Sequence, residues 1–267
     1  MEASINRAMT RPIAISLSPN VQSDDVFLAW RILMSADQWK NGEELSQIIG
    51  WFEEKYESRA FGFNSARSAE LEILKAFGIG KGDEVLVQAF TCVAVPNSVS
   101  WAEATPVFVD VDETHNLDSK DFERKITKCS RAVIIQNTFG VPAAIDEILR
   151  VAKRHNLIVI EDCAHSLGAT YGEKEIGTFG DAAFFSFGRD KIISSVFGGM
   201  AIVRDSDAAK KLEQTYSKLK QPSYYWIFQQ IVHPLLFDSI VLPFYNMLLG
   251  KLALAVFLVF GILSKAV

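Results

Sequence analysis

The chain has 267 residues, 49% hydrophobic and 22% charged, with a net charge of −5 at neutral pH. This composition excludes a disordered, collagenous or coiled-coil chain, and the acidic balance argues against a nucleic-acid partner. Domains usually hold about 100–200 residues, so one large domain or two small ones are expected, with a core that needs no staples.

The N-terminal 20 residues carry Arg7 and Arg11, but their apolar stretch, Ile13-Ala14-Ile15, is too short for a signal peptide, so the cytoplasm is the expected compartment. Cys92, Cys129 and Cys163 are far apart and form no CxxC, so neither a disulfide framework nor a metal site is expected. Helical patterns over 26–34 and 42–56 make residues 1–60 an N-terminal helical segment expected to pack on the large domain. Residues 68–77 read as a helix with Leu71, Leu74 and Phe77 on one face and Gly78 as its stop. Short runs rich in Val, Ile and Phe come next, at 84–89, 106–110, 132–136, 157–161, 182–187 and 200–203. Several are apolar at every position, as strands covered on both faces are. Between them, 145–155 and 205–219 read as helices. The alternation predicts an α/β layer over residues 61–215, with a mainly parallel central sheet flanked by helices.

From Tyr224 onward the chain stays apolar, and this tail (216–267) accounts for the slightly positive mean hydropathy of +0.15. Its longest clean run is 252–263, shorter than the roughly 20 residues a membrane-spanning helix needs. Three readings stand: a membrane-surface or hairpin-like element within 223–267, peripheral to the cytoplasmic membrane, a buried face for a partner subunit or further domain, or, least favoured by the length, a true span.

Ligands of open parallel sheets sit beyond the carboxyl ends of the strands, so chemistry is sought there. Asp162 follows the strand at 157–161, and Ser186 and Lys191 follow the strand at 182–187. Gly198-Gly199 then lets the backbone approach a bound group. Asn64-Ser65-Ala66-Arg67-Ser68 opens the first helix of the layer, where backbone N–H groups suit a phosphate. Taken singly these are a strand-end cap, a solvated charge and a Ser N-cap. Together, a phosphate cradle, a strand-end aspartate and a lysine meet the needs of pyridoxal phosphate.

The order and spacing of several stretches resemble the DegT/DnrJ/StrS family of sugar aminotransferases. They are Gly82-Asp83-Glu84-Val85, Ala104-Thr105-Pro106-Val107-Phe108-Val109-Asp110, Ile160-Glu161-Asp162-Cys163-Ala164-His165, Gly177-Thr178-Phe179-Gly180-Asp181 and Phe185-Ser186-Phe187 with Lys191. The resemblance implies a type I aminotransferase-like large domain over 61–215 that binds pyridoxal phosphate. It implies Lys191 as the Schiff-base lysine, Asp162 on the pyridine nitrogen and His165 beside the ring. Ser186 and the backbone of Arg67 and Ser68 would hold the phosphate, and Asn137 would lie near the substrate. The implied reaction moves an amino group, with glutamate as the donor, onto a nucleotide-linked keto-sugar in polysaccharide or sugar biosynthesis, in a homodimer.

Three departures stand out. Cys92, read as a buried thiol, replaces the ring-stacking aromatic. Val196-Phe197-Gly198-Gly199 replaces Gly-Glu-Gly-Gly. The family's smaller C-terminal α/β domain is not recognised, and the tail would be the lead-in to it. Relatives that dehydrate sugars carry His in place of the lysine, so Lys191 favours transamination. The reading from another class is a truncated or degenerate homologue acting as a membrane-associated interaction module without catalysis.

Overall fold

The computed structural model describes Ser18 and residues 21–265. The stretch with Arg7, Arg11 and Ile13-Ala14-Ile15 lies outside them. In chain order the elements are helix α1 (Ser23–Leu33), a single turn at Gln38–Asn41, α2 (Glu44–Tyr56), strand β1 (Arg59–Phe63), α3 (Ala66–Ala76), β2 (Glu84–Gln88), α4 (Ala94–Trp101) and β3 (Thr105–Val109). Then come α5 (Ser119–Lys125), β4 (Ser130–Gln136), α6 (Ile145–Arg154), β5 (Ile158–Asp162), the two-residue strands β6 (Thr170–Tyr171) and β7 (Lys174–Glu175), β8 (Ala182–Ser186) and β9 (Gly199–Val203). Helices α7 (Ser206–Tyr216), α8 (Tyr224–Leu236) and α9 (Leu249–Val259) complete the order. They form two compact units, neither continuous in sequence.

The larger unit, Glu44–Ser186 with Gly198–Leu219, is built on a seven-stranded sheet in the order β1-β9-β8-β5-β4-β2-β3. Strands β2, β3, β4, β5 and β8 run parallel, while β1 and β9 are antiparallel to their neighbours. The period-2 rule explains the continuous apolar runs, because the two faces enter different cores. Val85, Val87, Ile134 and Ile160 face one core with Ile73 and Leu74 of α3; Leu86, Val133, Ile135 and Val159 face the other with Phe122 and Ile148. The buried face of α3 is Ala69, Glu70, Ile73, Leu74 and Ala76, a rotation from the expected stripe that leaves Leu71 and Phe77 only partly covered. Gly78 does end the helix: at φ 74° its N–H reaches Lys75 O, and Ile79 N–H reaches Leu74 O.

Two elements had no clear signal. Strand β1 sits in a segment expected to be helical up to residue 60; its pairing with β9, Arg59↔Val203 through Phe63↔Gly199, supplies what a short strand containing a glycine lacks locally. Helix α4 contains Pro96, Ser98 and Ser100 and shows no strong helical periodicity.

The smaller unit gathers the described residues up to Glu43, the segment Phe187–Phe197 and the tail from Lys220. Its core is Val232, Phe237, Val241, Leu242 and Leu263, with Leu33, Phe228 and Leu254 packed around it. Trp39 lies between Tyr224 and Phe228, 6.4 Å from each ring, and donates to Ile32 O at 2.7 Å. Pro234 stands inside α8 and a π-helical turn, Phe237–Val241, comes after it, as expected where a backbone donor is missing. Helix α9 is 11 residues long, or about 16 Å. No described helix is long and apolar enough to cross a membrane. Leu249, Leu252, Val256, Val259 and Phe260 are nonetheless exposed, at helical spacing.

Candidate functional site

The antiparallel hand of β9 brings three chain segments to one sheet edge. Ser186, the last residue of β8, pairs with Gly199, which also pairs with Phe63 at the end of β1. The chain then enters α3 through Asn64 and Ser65. Ser65 is the N-cap: its Oγ accepts from Ser68 N at 3.2 Å, and Ser68 Oγ donates to Asn64 Oδ1 at 2.9 Å. The cap therefore takes the Ser68 N–H, and those of Ala66 and Arg67 have no acceptor within the helix. A Cβ added at Gly199 would lie 2.4 Å from Ala66 N, so the close approach signalled by the glycine pair is to the first turn of this helix. Arg67 places its guanidinium 5.9 Å from the Trp101 ring; its Nε is buried without a hydrogen-bond partner among the described residues.

Strand β5 ends in two carboxylates with different tasks. Glu161 accepts the N–H groups of Gly177, Phe179 and Gly180 at 2.7–2.8 Å, tying two of the sequence motifs together. Burial raises its pKa, and those three bonds oppose the rise. Asp162, buried at the edge, accepts from Ala164 N at 2.9 Å. Sequence reasoning missed a third carboxyl, Glu70 on α3, which is 1% exposed. Burial, and then the charge of Asp162, hold its pKa well above the ordinary range, against Ser98 and Arg67. Its only sequence signal is an acid at a position that the helix turns inward.

His165 stacks on Phe139, with centroids 5.8 Å apart and planes 10° from parallel. Phe139 holds a left-handed φ of 54° and lies 6.2 Å from Phe90. Aromatic surface thus stands at this edge although Cys92 does not supply it. Cys92 is exposed, contrary to the buried thiol expected, because it lies in the loop between β2 and α4 rather than on either element. Asn137 is buried; Oδ1 accepts from Ala143 N at 3.0 Å, and Nδ2 has no hydrogen-bond partner among the described residues. Below it, Thr138 Oγ1 receives Gln88 Nε2 at 2.9 Å and Gln136 Nε2 at 3.1 Å, and Thr91 donates to Gln136 Oε1 at 2.6 Å.

The structure brings Arg67, Ser68, Asn137, Asp162, His165 and Ser186 onto the larger unit. Lys191 follows Ser186 by five residues, on the segment grouped with the smaller unit. Its N–H reaches Gly188 O at 3.1 Å, and its Nζ lies 3.2 Å from Asp190 Oδ2 with the side chain 15% exposed.

Residues 22–224 match the model of the DegT/DnrJ/EryC1/StrS aminotransferase family. The chain belongs to this family. Over 169 residues, 62% of the chain, it is 43% identical to a protein of Caulobacter vibrioides named GDP-perosamine synthase, covering 46% of that protein. Its fold resembles the X-ray structure of an aminotransferase from Psychrobacter cryohalolentis, with a TM-score of 0.69 and 30% identity over 82% of this chain and 62% of that one. It also resembles the E. coli GDP-4-keto-6-deoxy-D-mannose-3-dehydratase with bound hydrated pyridoxal phosphate, with a TM-score of 0.66 and 26% identity over 73% and 52% of the two chains. The mainly parallel sheet flanked by helices is the α/β architecture expected from the family resemblance. The chain spans less than half the length of the Caulobacter relative.

Proposed function

We propose that this family member takes part in pyridoxal-phosphate-dependent transamination of a nucleotide-linked keto-sugar, with glutamate as amino donor, in polysaccharide or sugar biosynthesis. The observation that carries the reading is the convergence of Asp162, Ser186 and the first turn of α3 on one sheet edge, with Gly199 pressed against that turn. These residues fit the cofactor chemically. After burial, the charge of Asp162 is the main influence raising the Glu70 pKa, and a carboxylate at that place would favour a protonated pyridine nitrogen. The Ala66 and Arg67 N–H groups, the positive end of α3 and the Ser186 hydroxyl suit a phosphate.

Bound there, pyridoxal phosphate supplies an electron sink for the carbon that loses its proton. Asp162 would hold the proton on the ring nitrogen. His165, stacked on Phe139, would lie beside the ring. Lys191 would hold the cofactor through Nζ, and its amine is the group that would move the proton. Asn137 ties the loop after β4 to Ala143, and its Nδ2, buried without a partner among the described residues, would be the donor offered to the substrate. The Caulobacter relative's name supports a nucleotide sugar as the substrate class.

Purified protein mixed with pyridoxal phosphate is expected to show a visible absorption band that Lys191→Ala loses. A wild type that never takes up the cofactor would leave the non-catalytic interaction module as the better reading.

In this reading the tail lies on the cytoplasmic face of an anionic membrane. Support comes from the exposed stripe Leu249, Leu252, Val256, Val259 and Phe260, and from charge: residues 239–267 contain Lys251 and Lys265 but no Asp or Glu. At about 16 Å, α9 suits the interface rather than a span. The protein is expected to pellet with phosphatidylserine-containing vesicles, more weakly with phosphatidylcholine alone, and not after Leu252→Asp with Val256→Asp. Equal pelleting of this variant would sink the idea. The assembly proposed is a homodimer whose second copy covers the exposed Phe90, Val93, Phe139 and Val141, tested by sedimentation velocity.

A further inference from the structure

The segment that carries Lys191 is closed into a ring of contacts with the tail. Arg189, two residues before Lys191, donates from Nη2 to Ser264 O and to Ser264 Oγ, each at 2.8 Å. Ser264 Oγ donates on to Gln230 Oε1 at 3.0 Å, and Gln230 Nε2 donates to Trp226 O at 2.8 Å. The Trp226 ring lies 5.8 Å from that of Phe197, six residues after Lys191. The Phe197 ring in turn carries the Arg189 guanidinium at 5.2 Å. The circuit therefore leaves the lysine segment on one side of Lys191 and returns on the other.

Ser264 and Gln230 are buried, at 9% and 8% exposed, while Arg189, Trp226 and Phe197 are half-buried. Within the circuit Nη2 is met by neutral oxygens and the guanidinium by an aromatic face, while Nε is buried without a hydrogen-bond partner among the described residues; such an arrangement holds a half-buried cation only when the geometry is kept. Two bonds within the segment run beside it. Ser195 N reaches Phe187 O at 3.0 Å, Ser195 Oγ reaches Phe197 O at 2.8 Å, and Val196 sits at a left-handed φ of 69°. A segment so short, with one residue in an unfavourable region, depends on outside contacts to hold one conformation.

We infer that the tail is a brace for the lysine segment and that Arg189 is the positioning residue through which it acts. The inference rests on the reading of Lys191 as the cofactor-binding lysine. Fixing the chain on both sides of Lys191 restricts where Nζ can be presented, so the tail sets the orientation of the amine as well as meeting its own partners. Arg189→Lys keeps the charge but can serve fewer acceptors, and so keeps part of the effect.

The test uses the full chain loaded with pyridoxal phosphate, comparing wild type with Arg189→Met, Arg189→Lys and Ser264→Ala. Amide exchange over residues 187–197 is expected to rise about tenfold in Arg189→Met and in Ser264→Ala, with β4 and β5 unchanged. Visible circular dichroism per bound cofactor should fall in both, and Arg189→Lys should recover part of it. Unchanged exchange and unchanged visible dichroism in variants with wild-type far-ultraviolet spectra would overturn the brace. Borohydride reduction and peptide mapping of the wild type checks the underlying reading separately. If no cofactor is found on Lys191, that reading fails, while the exchange of 187–197 still decides whether the tail holds the segment.

Discussion

Glu70 is an acid that α3 turns inward, beside Asp162 and Arg67, and its titration follows from that. Burial and the charge of Asp162 raise its folded pKa well above the ordinary value of 4.5. The folded state then binds more protons than the unfolded one, so this group's contribution is complete at low pH and is lost as pH rises from about 4.5 toward the folded value, at up to about 1.4 kcal/mol per pH unit. Glu70→Gln should be more stable than wild type at neutral pH and lose this slope, as thermal melts across pH would show. A wild-type-like slope in the variant would assign the pH dependence elsewhere. Gly199→Ala puts a methyl 2.4 Å from Ala66 N, and its expected cost is about 2–4 kcal/mol in denaturant melts together with weaker cofactor uptake. The places of Asp162 and Ser186 at strand ends, and of Lys191 five residues beyond Ser186, were legible because those strands announce themselves. Glu70 and Arg189 were not, because their meaning depends on partners such as Ser98 and Ser264 that only the folded chain supplies.

Among the elements, α8 carries the clearest titration. His233 is wholly buried, with Nε2 2.8 Å from Ser18 Oγ and its ring stacked on Phe237 at 4.1 Å. Burial, helped by the charge of Arg189, pushes its pKa down to about 3. The unfolded imidazole takes up a proton below about 6.5, so the stability present above that pH is lost as pH falls toward 3, by about 1.4 kcal/mol per unit. Amide protection in α8, corrected for the intrinsic pH dependence of exchange, should fall over that window and stay flat above it; His233→Gln should remove the acid slope. Strands β2, β4, β5 and β8 were legible because both of their faces are covered, which makes their apolar runs continuous. Strand β1 owes its form to β9, across more than 130 residues of chain, and no local pattern carries that. The tail helices are apolar almost all round, so periodicity gave their presence no outline.

At the scale of the molecule, the slightly apolar average came from the tail, and the structure shows where that excess goes. Part is buried in the cluster around Val232, Phe237 and Leu263, and part stays on the exposed stripe of α9. The α/β class was legible from alternation alone. The grouping of Phe187–Phe197 with the tail was not, since it interrupts a segment that otherwise runs from strand to strand. Ser264 stands 75 residues after Arg189 in the chain. Translation adds about 5–20 residues per second, so the lysine segment is made roughly 4–15 s before its anchor exists. A nascent chain thus carries Lys191 unheld through that interval, and the order of synthesis itself delays the moment at which the amine can be fixed in place.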